Sequence, residues 1–214
     1  MNSLKQGVLV AIEGIDGSGK STLAKNLYAA LSTQFPTLLT REPGATPLGA
    51  KLRTIVQEKS VPLTAQAEYL LFAADRAQHF DEFVLPMLDQ KNLIISDRMA
   101  DSSLVYQGYG RGLTKDIIAA VNGWVMHKRN PDLVIFVRID AQTAQQRLVQ
   151  RGKALTSFEC EQQEFTATLI KGFDEIYAQK NNVIALDGTL SPETLTFQAI
   201  QQVTSWIQNN NIHQ

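Results

Sequence analysis

Gly14-Ile15-Asp16-Gly17-Ser18-Gly19-Lys20-Ser21 is the stretch that decides the fold of this 214-residue chain. It matches the pattern G-x-x-x-x-G-K-[ST] without a gap. The run Val8-Leu9-Val10-Ala11-Ile12 before it is apolar throughout, and the residues after it place Leu23, Leu27 and Leu31 on one helical face. A buried strand, a glycine-rich turn and an amphipathic helix are therefore predicted in this order.

The residue types of this turn, which we call the phosphate-binding loop (residues 14–21), suit a bound triphosphate. Backbone N–H groups must converge on phosphate oxygens, and side chains at Gly14, Gly17 and Gly19 would obstruct that approach. The positive end of the following helix adds to the attraction. The Lys20 ammonium can reach the β- and γ-phosphates, and the Ser21 hydroxyl can complete a Mg²⁺ shell. A glycine-rich loop without a ligand is the alternative.

Charge and composition narrow the class of protein. Lys and Arg number 20 and Asp and Glu number 21, so the bulk charge predicts no surface for a nucleic acid polymer. No apolar run approaches the ~18 residues of a membrane span, and residues 1–6 lack the apolar core of a signal peptide. The one cysteine, Cys160, excludes an intramolecular disulfide. We expect a cytoplasmic protein without a membrane partner.

Four further apolar segments, at residues 37–40, 92–96, 133–137 and 183–186, alternate with helical patterns. This alternation predicts the α/β class, with a five-stranded parallel sheet of the P-loop NTPase type and helices on both faces. The prediction is a single domain over residues 1–214. Ligands of such sheets bind outside the carboxyl ends of the strands. The residues that follow these strands should therefore share one crevice with Gly14: they are Arg41-Glu42, Asp97-Arg98 and the turn at 187–189.

Several residues are predicted to play no part in a site. Trp124 and Trp206 fall on apolar helix stripes and are assigned to the core. His79, His127 and His213 share no ligand spacing, so we expect them at the surface or at helix ends. Residues 98–112 are interpreted as a polar segment.

Asp97 directly follows a buried apolar strand, which is the position of a second anchor for Mg²⁺ beside a phosphate-binding loop. A helix cap at the end of the strand is the alternative. The adjacent Arg98 favours the metal anchor, because a guanidinium at a sheet edge can clamp a phosphate with two hydrogen bonds.

Arginines beyond the loop indicate a second phosphorylated molecule; among them are Arg41, Arg53, Arg76, Arg98, Arg147 and Arg151. The base-reading sequence N-K-x-D of GTPases does not occur, which disfavours a GTPase. Phe72 and Arg76 are four residues apart and share a helix face, where a ring could stack on a nucleobase and a guanidinium could bond a carbonyl. A core Phe72 and a solvated Arg76 fit this spacing equally well.

A set of ordered motifs resembles that of bacterial thymidylate kinases, which are nucleoside monophosphate kinases. The motifs are residues 14–21, Thr40-Arg41-Glu42-Pro43-Gly44, Leu71-Phe72-Ala73-Ala74-Asp75-Arg76, Asp97-Arg98, Asp101-Ser102-Ser103-Leu104-Val105-Tyr106-Gln107-Gly108 with Gly110-Arg111-Gly112, Pro131-Asp132-Leu133 and Phe158-Glu159-x-Glu161. The resemblance implies transfer of the γ-phosphoryl group of ATP to the 5′-phosphate of dTMP, giving dTDP for dTTP and DNA synthesis. It also implies Mg²⁺ as cofactor and a homodimer.

The same resemblance implies roles for individual residues. ATP would be bound by Gly14, Ile15, Asp16, Gly17, Ser18, Gly19, Lys20, Ser21 and Thr22. The dTMP site would comprise Asp16, Glu42, Pro43, Arg53, Phe72, Arg76, Arg98, Ser103, Tyr106 and Gln107. The metal would lie near Ser21, Asp97 and Glu42, and the catalytic cations would be Lys20, Arg98, Arg147 and Arg151.

Within the implied dTMP site, Phe72 would stack on thymine while Arg76 and Ser103 bond its polar edge, with Gln107 close by. Tyr106 would lie against C2′ and exclude a ribose hydroxyl, and Asp16 would face the 3′-hydroxyl. Arg53 and Arg98 would hold the acceptor phosphate. A pocket for the thymine methyl discriminates by only about 1–3 kcal/mol, so dUMP is expected to be a poor but detectable substrate.

Position 17 is glycine, so the chain resembles the members of the family that supply one cation from a flexible lid, here at about residues 147–160. Arg147, Arg151 and Lys153 are the candidates, and solvated surface charges are the alternative. Two departures from the family pattern stand out. Thr156-Ser157 replaces a customary Asp-Arg of the lid, and Arg138 occupies the place of a customary aspartate.

Two other functions remain open from the sequence. One is another nucleoside or nucleotide kinase on the same scaffold. The other is a nucleotide-binding sensor without turnover, which the altered lid would favour and the intact Lys20, Asp97 and Arg98 disfavour.

Overall fold

The computed structural model describes residues 2–58, 62–152, 154, 156–161, 163–210 and 212. Its strands are β1 (Val8–Glu13), β2 (Thr37–Arg41), β3 (Leu93–Asp97), β4 (Leu133–Arg138) and β5 (Val183–Asp187). They form one parallel five-stranded sheet with the order β2-β3-β1-β4-β5. The predicted fold class is confirmed.

The helices that cover this sheet lie on both of its faces. They are α1 (Lys20–Leu31), α2 (Pro47–Gln57), α3 (Ala65–His79), α4 (Leu85–Asp89), α5 (Ala100–Ser103), α6 (Lys115–Val125), α7 (Ala141–Gln150), α8 (Gln163–Tyr177) and α9 (Pro192–Asn209). Among the described helices, none is both long and apolar enough to cross a membrane.

The apolar run of β1 divides between two cores. Val8, Val10 and Ile12 pack with residues of α1 and α9 on one face of the sheet. Leu9 and Ala11 pack on the other face, together with residues of α4 and α8. Because successive side chains of a strand point to opposite faces, a sheet covered on both sides requires a continuous apolar run.

The parallel register brings the polar residues that follow the strands to one edge of the sheet. Asp97 of β3 pairs with Ile12 of β1 on one side and with Arg41 of β2 on the other. The phosphate-binding loop leaves β1 at this same edge. The predicted crevice therefore has its floor at the carboxyl ends of β1, β2 and β3.

Two π-helical turns were not predicted. Residues 98–112, interpreted as a polar segment, instead contain α5 followed by a π turn at Leu104–Gly110. A second π turn at Phe80–Val84 joins α3 to α4, just before Pro86. A π turn adds a residue to the helical repeat, so a search for a period of 3.6 loses the apolar stripe at that point. A proline also interrupts regular helical bonding.

Some predicted environments need correction. Trp124 on α6 is 78 % exposed rather than part of the core, because Ile118 and Val125 form the buried edge of that helix. Trp206 does pack partly against the core. His79 ends α3 as expected, but it is fully buried. His213 lies outside the described residues.

Candidate active site

A cavity of about 570 Å³ opens at the carboxyl edge of the sheet. Its walls come from the phosphate-binding loop, the ends of β2 and β3, α2, α3, the Leu104–Gly110 turn and parts of residues 147–159. The structure brings together every residue predicted for the acceptor, the metal and the catalytic cations. Of the residues predicted to bind ATP, three do not line the cavity: Gly14, Ile15 and Ser18.

Two glycines of the loop are required by its packing against other parts of the chain, which the sequence alone did not indicate. Gly14 and Gly17 have φ values of 149° and 83°, which favour glycine. A Cβ on Gly14 would lie 2.6 Å from the carbonyl oxygen of Val137, and one on Gly17 would lie 2.6 Å from that of Ala144. The loop is therefore shaped by its contact with β4 and α7 as well as by any ligand.

Lys20 points back into this loop. Its ammonium donates to the carbonyl oxygen of Ile15 at 3.2 Å and to the Asp16 carboxylate at 3.4 Å. Burial and the nearby charge of Arg98 lower the pKa of Lys20. An anion in the loop would oppose that effect, because an opposite charge stabilises the charged form.

Asp16 and Arg98, which both line the cavity, form an ion pair. Arg98 Nη2 donates to Asp16 Oδ1 at 2.6 Å, and the Tyr106 hydroxyl donates to Asp16 Oδ2 at 2.9 Å. Burial opposes ionisation of Asp16, but the charges of Arg98 and Lys20 outweigh it and hold the pKa of Asp16 well below its usual range. Asp16 therefore stays a carboxylate, which can accept a hydrogen bond from a hydroxyl of a ligand.

The position of Arg98 depends on Glu13, a residue to which the sequence analysis assigned no role. Arg98 has a φ of 73°, which is rarely populated without glycine. Its Nη1 donates to the carbonyl oxygen of Gly14 at 3.0 Å and to Ser102 Oγ at 2.9 Å. Buried Glu13 accepts from the Met99 amide at 2.8 Å and from Ser102 Oγ at 2.6 Å. Glu13 thus fixes the turn that presents Arg98.

Three arginines make one side of the cavity strongly positive. Arg53 donates from Nη1 to the carbonyl oxygen of Pro43 at 2.8 Å and lines the cavity with Arg41 and Arg98. Burial and the charge of Arg41 lower the pKa of Arg53, and Arg98 contributes in the same direction. Like charges held this close favour an anion between them. Arg41 was not in the predicted binding set.

Arg76 is a buried charge with three protein partners. Its Nε donates to Glu42 Oε2 at 2.7 Å, Nη1 to Asn122 Oδ1 at 2.7 Å, and Nη2 to Ser103 Oγ at 3.1 Å. The alternative of a solvated Arg76 is therefore wrong. Gln107 also lies on this side of the cavity, where its amide donates to Glu68 Oε1 at 2.8 Å.

An aromatic wall faces these polar groups. Phe72 is half-buried and lines the cavity, and its ring centroid lies 5.9 Å from that of Phe158. Phe158 also packs edge-on against Tyr106 at 6.0 Å. Phe158 belongs to the motif Phe158-Glu159-x-Glu161, which by itself predicts no role for this ring.

Glu42 and Asp97, both assigned to the metal, have different surroundings. Both Glu42 oxygens have partners: Oε2 accepts from Arg76, and Oε1 lies 3.0 Å from His79 Nδ1. Asp97 Oδ1 is buried without a hydrogen-bond partner among the described residues. This geometry favours Asp97 as a metal ligand and gives Glu42 a positioning role toward Arg76.

Two arginines lie above the loop. Arg147 Nη1 donates to the carbonyl oxygens of Gly188 at 2.7 Å and Ser18 at 3.4 Å. Arg151 makes two hydrogen bonds of 2.9 Å to the Glu159 carboxylate. Lys153, the third candidate cation, lies outside the described residues.

The two departures from the family pattern have local partners. Arg138 pairs with Asp174 of α8 through two bonds of 2.8 Å, away from the cavity. Ser157 Oγ donates to the carbonyl oxygen of Val56 at 3.0 Å, and the Thr156 amide donates to Glu159 at 2.9 Å. Arg138 does not line the cavity, whereas Thr156 does.

Comparisons with known proteins agree on one family. The family model described as thymidylate kinase matches residues 12–199. The thymidylate kinase of Halothermothrix orenii is 43 % identical over 143 residues, covering 66 % of this chain and 69 % of that protein. That of Carboxydothermus hydrogenoformans is 35 % identical over 194 residues, covering 90 % and 95 %. A crystal structure of thymidylate kinase from Ehrlichia chaffeensis superposes with a TM-score of 0.76 at 28 % identity, covering 92 % of this chain and 99 % of that one.

Replacing Glu13 with Gln should change how stability depends on pH. Burial, with the charge of Asp101, raises the pKa of Glu13 from 4.5 to about 7. The folded state then holds a proton that the unfolded state has lost, so wild-type stability falls as the pH rises through this interval. The difference in unfolding free energy between the Glu13→Gln variant and wild type should therefore shift in favour of the variant, by about 3 kcal/mol, as the pH rises from 4.5 to 7.5. Urea denaturation across this range measures the difference; a difference independent of pH would contradict the assignment.

Proposed function

The chain belongs to the thymidylate kinase family, and from that premise we propose how the residues of the cavity divide the work of one phosphoryl transfer. The enzyme transfers the γ-phosphoryl group of ATP to dTMP and produces dTDP for dTTP synthesis. One observation carries the assignment of roles: the predicted acceptor residues and the phosphate-binding loop line the same cavity.

We assign the donor end of the cavity to ATP. The loop amides and Lys20 face the phosphates, and Arg147 holds the loop from above through the Ser18 carbonyl. Asp97 and Ser21 would hold Mg²⁺, which suits the unpartnered Asp97 oxygen. The described residues contain no cluster of three or more His, Cys, Asp or Glu for a metal, in keeping with an ion bound largely by phosphates. Mg²⁺ would supply neutralisation of phosphate charge.

We assign the sugar and phosphate of dTMP to the opposite side. Arg53 and Arg98, with Arg41 beside them, hold the acceptor phosphate, since burial and the positive charges of Arg41 and Arg98 lower the pKa of Arg53 and an anion between these guanidiniums would offset that repulsion. Asp16 accepts a hydrogen bond from the 3′-hydroxyl, because its pKa keeps it ionised. The Tyr106 hydroxyl donates to Asp16, and in this placement the Tyr106 ring packs against C2′ of the deoxyribose.

We assign the thymine to the wall formed by Phe72 and Arg76. Phe72 provides a flat apolar surface, and Arg76 and Ser103 provide polar groups at its edge. Gln107 lies close by, and Phe158 closes the cavity over the base. Pro43 and Glu42 complete this side, with Glu42 acting through Arg76.

The transfer step follows from these positions. An oxygen of the dTMP phosphate forms the new bond to the γ-phosphorus of ATP, and the bond from that phosphorus to the β-phosphate oxygen breaks, which releases ADP. The acceptor phosphate is already an anionic nucleophile, so no side chain needs to remove a proton. Catalysis therefore rests on positioning and on neutralisation of charge by Lys20, Arg98, Arg147 and Arg151.

Residues 147–160 act as the lid in this proposal, and Arg151 is its mobile cation. Arg147 is held by backbone carbonyls, whereas Arg151 is held, among the residues that the structure describes, by the carboxylate of Glu159. A phosphate of ATP can replace that carboxylate, because both accept two parallel hydrogen bonds from a guanidinium.

A homodimer and a cytoplasmic location complete the proposal. Ile117 and Trp124 are seven residues apart on α6 and are 61 % and 78 % exposed, and Leu70 on the neighbouring α3 is 58 % exposed. An apolar surface of this kind suits a second copy of the chain. The cytoplasm is where a bacterial cell uses dTTP for DNA synthesis.

A panel of acceptors tests the assignment of the base and sugar. With ATP and Mg²⁺, we expect fast ADP release with dTMP, weak release with dUMP, still weaker but measurable release with dCMP, and none with UMP, dGMP or AMP. The methyl pocket should separate dTMP from dUMP by about 10–200-fold. Equal rates for dUMP and dTMP would remove the methyl pocket, and a different preferred acceptor would overturn the placement of the base.

Replacing both Arg147 and Arg151 with Ala tests the lid cations. Turnover should fall on the order of 10³-fold, because these charges neutralise the transferred group. Arg138→Ala is the matched control, since that arginine pairs with Asp174 outside the cavity. Turnover of the double variant within a few-fold of wild type would show that the cation comes from elsewhere.

The oligomeric state can be measured by light scattering during gel filtration. The wild-type protein should have about twice the chain mass of 23.7 kDa, and Trp124→Glu should be monomeric because it places a charge in the apolar surface. Phe197→Glu is the control, since Phe197 is also exposed but lies on α9. A monomeric wild type, or a dimer that survives Trp124→Glu, would contradict this interface.

A further inference from the structure

Arg76 is held at each of its three nitrogens by a different part of the chain. Glu42 follows β2, Ser103 ends α5 and Asn122 lies on α6, and each accepts one hydrogen bond from the guanidinium. Two further N–H groups of Arg76 have no partner among the residues that the structure describes. Since Arg76 lines the cavity, these two donors are available to a ligand.

Glu42 supplies the charge that a buried guanidinium needs. It lies 2.7 Å from Arg76 Nε and is itself fixed by His79, whose other ring nitrogen lies 2.7 Å from Thr40 Oγ1. Burying an arginine without such a partner would be strongly unfavourable. Glu42 therefore accounts for the presence of the charge, while the orientation of the guanidinium also depends on the acceptors of its two Nη atoms, Ser103 Oγ at 3.1 Å and Asn122 Oδ1 at 2.7 Å.

Asn122 makes the shorter of these two hydrogen bonds. Its Oδ1 accepts from Arg76 Nη1 at 2.7 Å and lies 3.1 Å from the Tyr69 hydroxyl, while its Nδ2 donates to the carbonyl oxygen of Ala100 at 3.4 Å. These contacts fix which way the amide faces, with its oxygen toward Arg76. Asn122 is buried and does not line the cavity, so it acts on a ligand only through Arg76.

We propose that Asn122 is a positioning residue that determines base specificity: by fixing the guanidinium of Arg76, it makes the enzyme select a base that presents a carbonyl group there. The proposal rests on the placement of the base against Arg76 made above. No motif of the sequence points to Asn122, because its partners lie 22 to 53 positions away in the chain.

The physical basis is the difference between thymine and cytosine at C4. Thymine presents a carbonyl oxygen, which accepts from the free N–H groups of Arg76, whereas cytosine presents an amino group. Two donors facing each other in a buried site both lose their hydrogen bonds to water, and this penalty is the basis of strong discrimination. The penalty persists only if Arg76 cannot turn away, and Asn122 contributes to holding it through the shorter of the two hydrogen bonds at its Nη atoms.

Asn122→Leu tests this role, because leucine has a similar size but no acceptor. We expect the KM for dTMP to rise about tenfold, as for a lost hydrogen bond to a charged group. The kcat at saturation and the KM for ATP should be unchanged. The ratio of kcat/KM for dTMP to that for dCMP should fall about tenfold or more, because a mobile Arg76 tolerates the amino group.

Two matched variants separate positioning from stability. Asn122→Asp keeps an acceptor toward Arg76 and should retain the wild-type ratio within about threefold. Ile118→Ala removes a buried side chain on the same helix, next to Tyr69, and should lower the melting temperature without changing the ratio. Asn122→Ser, whose shorter side chain does not reach Arg76, carries the same expectation as leucine and replaces it if that variant does not fold.

The outcomes are distinct. A ratio in Asn122→Leu or Asn122→Ser equal to that of Ile118→Ala would overturn the proposal and leave Asn122 a purely structural residue. A wild-type enzyme without a preference for dTMP over dCMP would instead overturn the placement of the base, before any variant is compared. A lowered ratio that Asn122→Asp restores would establish the positioning role.

Discussion

The ion pair between Asp16 and Arg98, 2.6 Å apart inside the cavity, is the interaction on which the rest of the site depends. Asp16 belongs to the phosphate-binding loop and Arg98 to the end of β3, so the pair ties the donor side of the cavity to the acceptor side. Both charges are largely removed from water, which is unfavourable unless each finds several partners. Tyr106, Ser102 and the Gly14 carbonyl provide them.

The same constraint recurs around the cavity. Arg76 is buried with Glu42, and Glu13 lies buried behind Arg98 as the acceptor that fixes its turn. Two of the groups that we assign to a ligand are held by residues that we do not assign to one: Arg98 by Glu13 through Ser102, and Arg76 by Asn122. Such an arrangement orients dipoles and charges before the substrates bind, which suits a reaction that needs positioning and charge neutralisation more than covalent chemistry.

The parts of this account that the sequence predicted are those that local pattern determines. The five strands, the loop and the exit of Asp97-Arg98 at the sheet edge all follow from apolar runs and the residues that end them. The shared face of Phe72 and Arg76 followed from their spacing. Pairing between distant segments was not predictable. The burial of His79 and the contact of Asn122 with Arg76 each depend on how helices pack, and the exposure of Trp124 depends on which edge of α6 meets the core.

A crystal structure of the enzyme with dTMP would show directly whether one preformed set of charges binds the whole acceptor. We expect thymine against Phe72 with its O4 atom within hydrogen-bond distance of Arg76. We also expect the 3′-hydroxyl at Asp16 and the phosphate between Arg53 and Arg98. A base bound away from Arg76, or a phosphate bound away from both Arg53 and Arg98, would contradict this placement of dTMP.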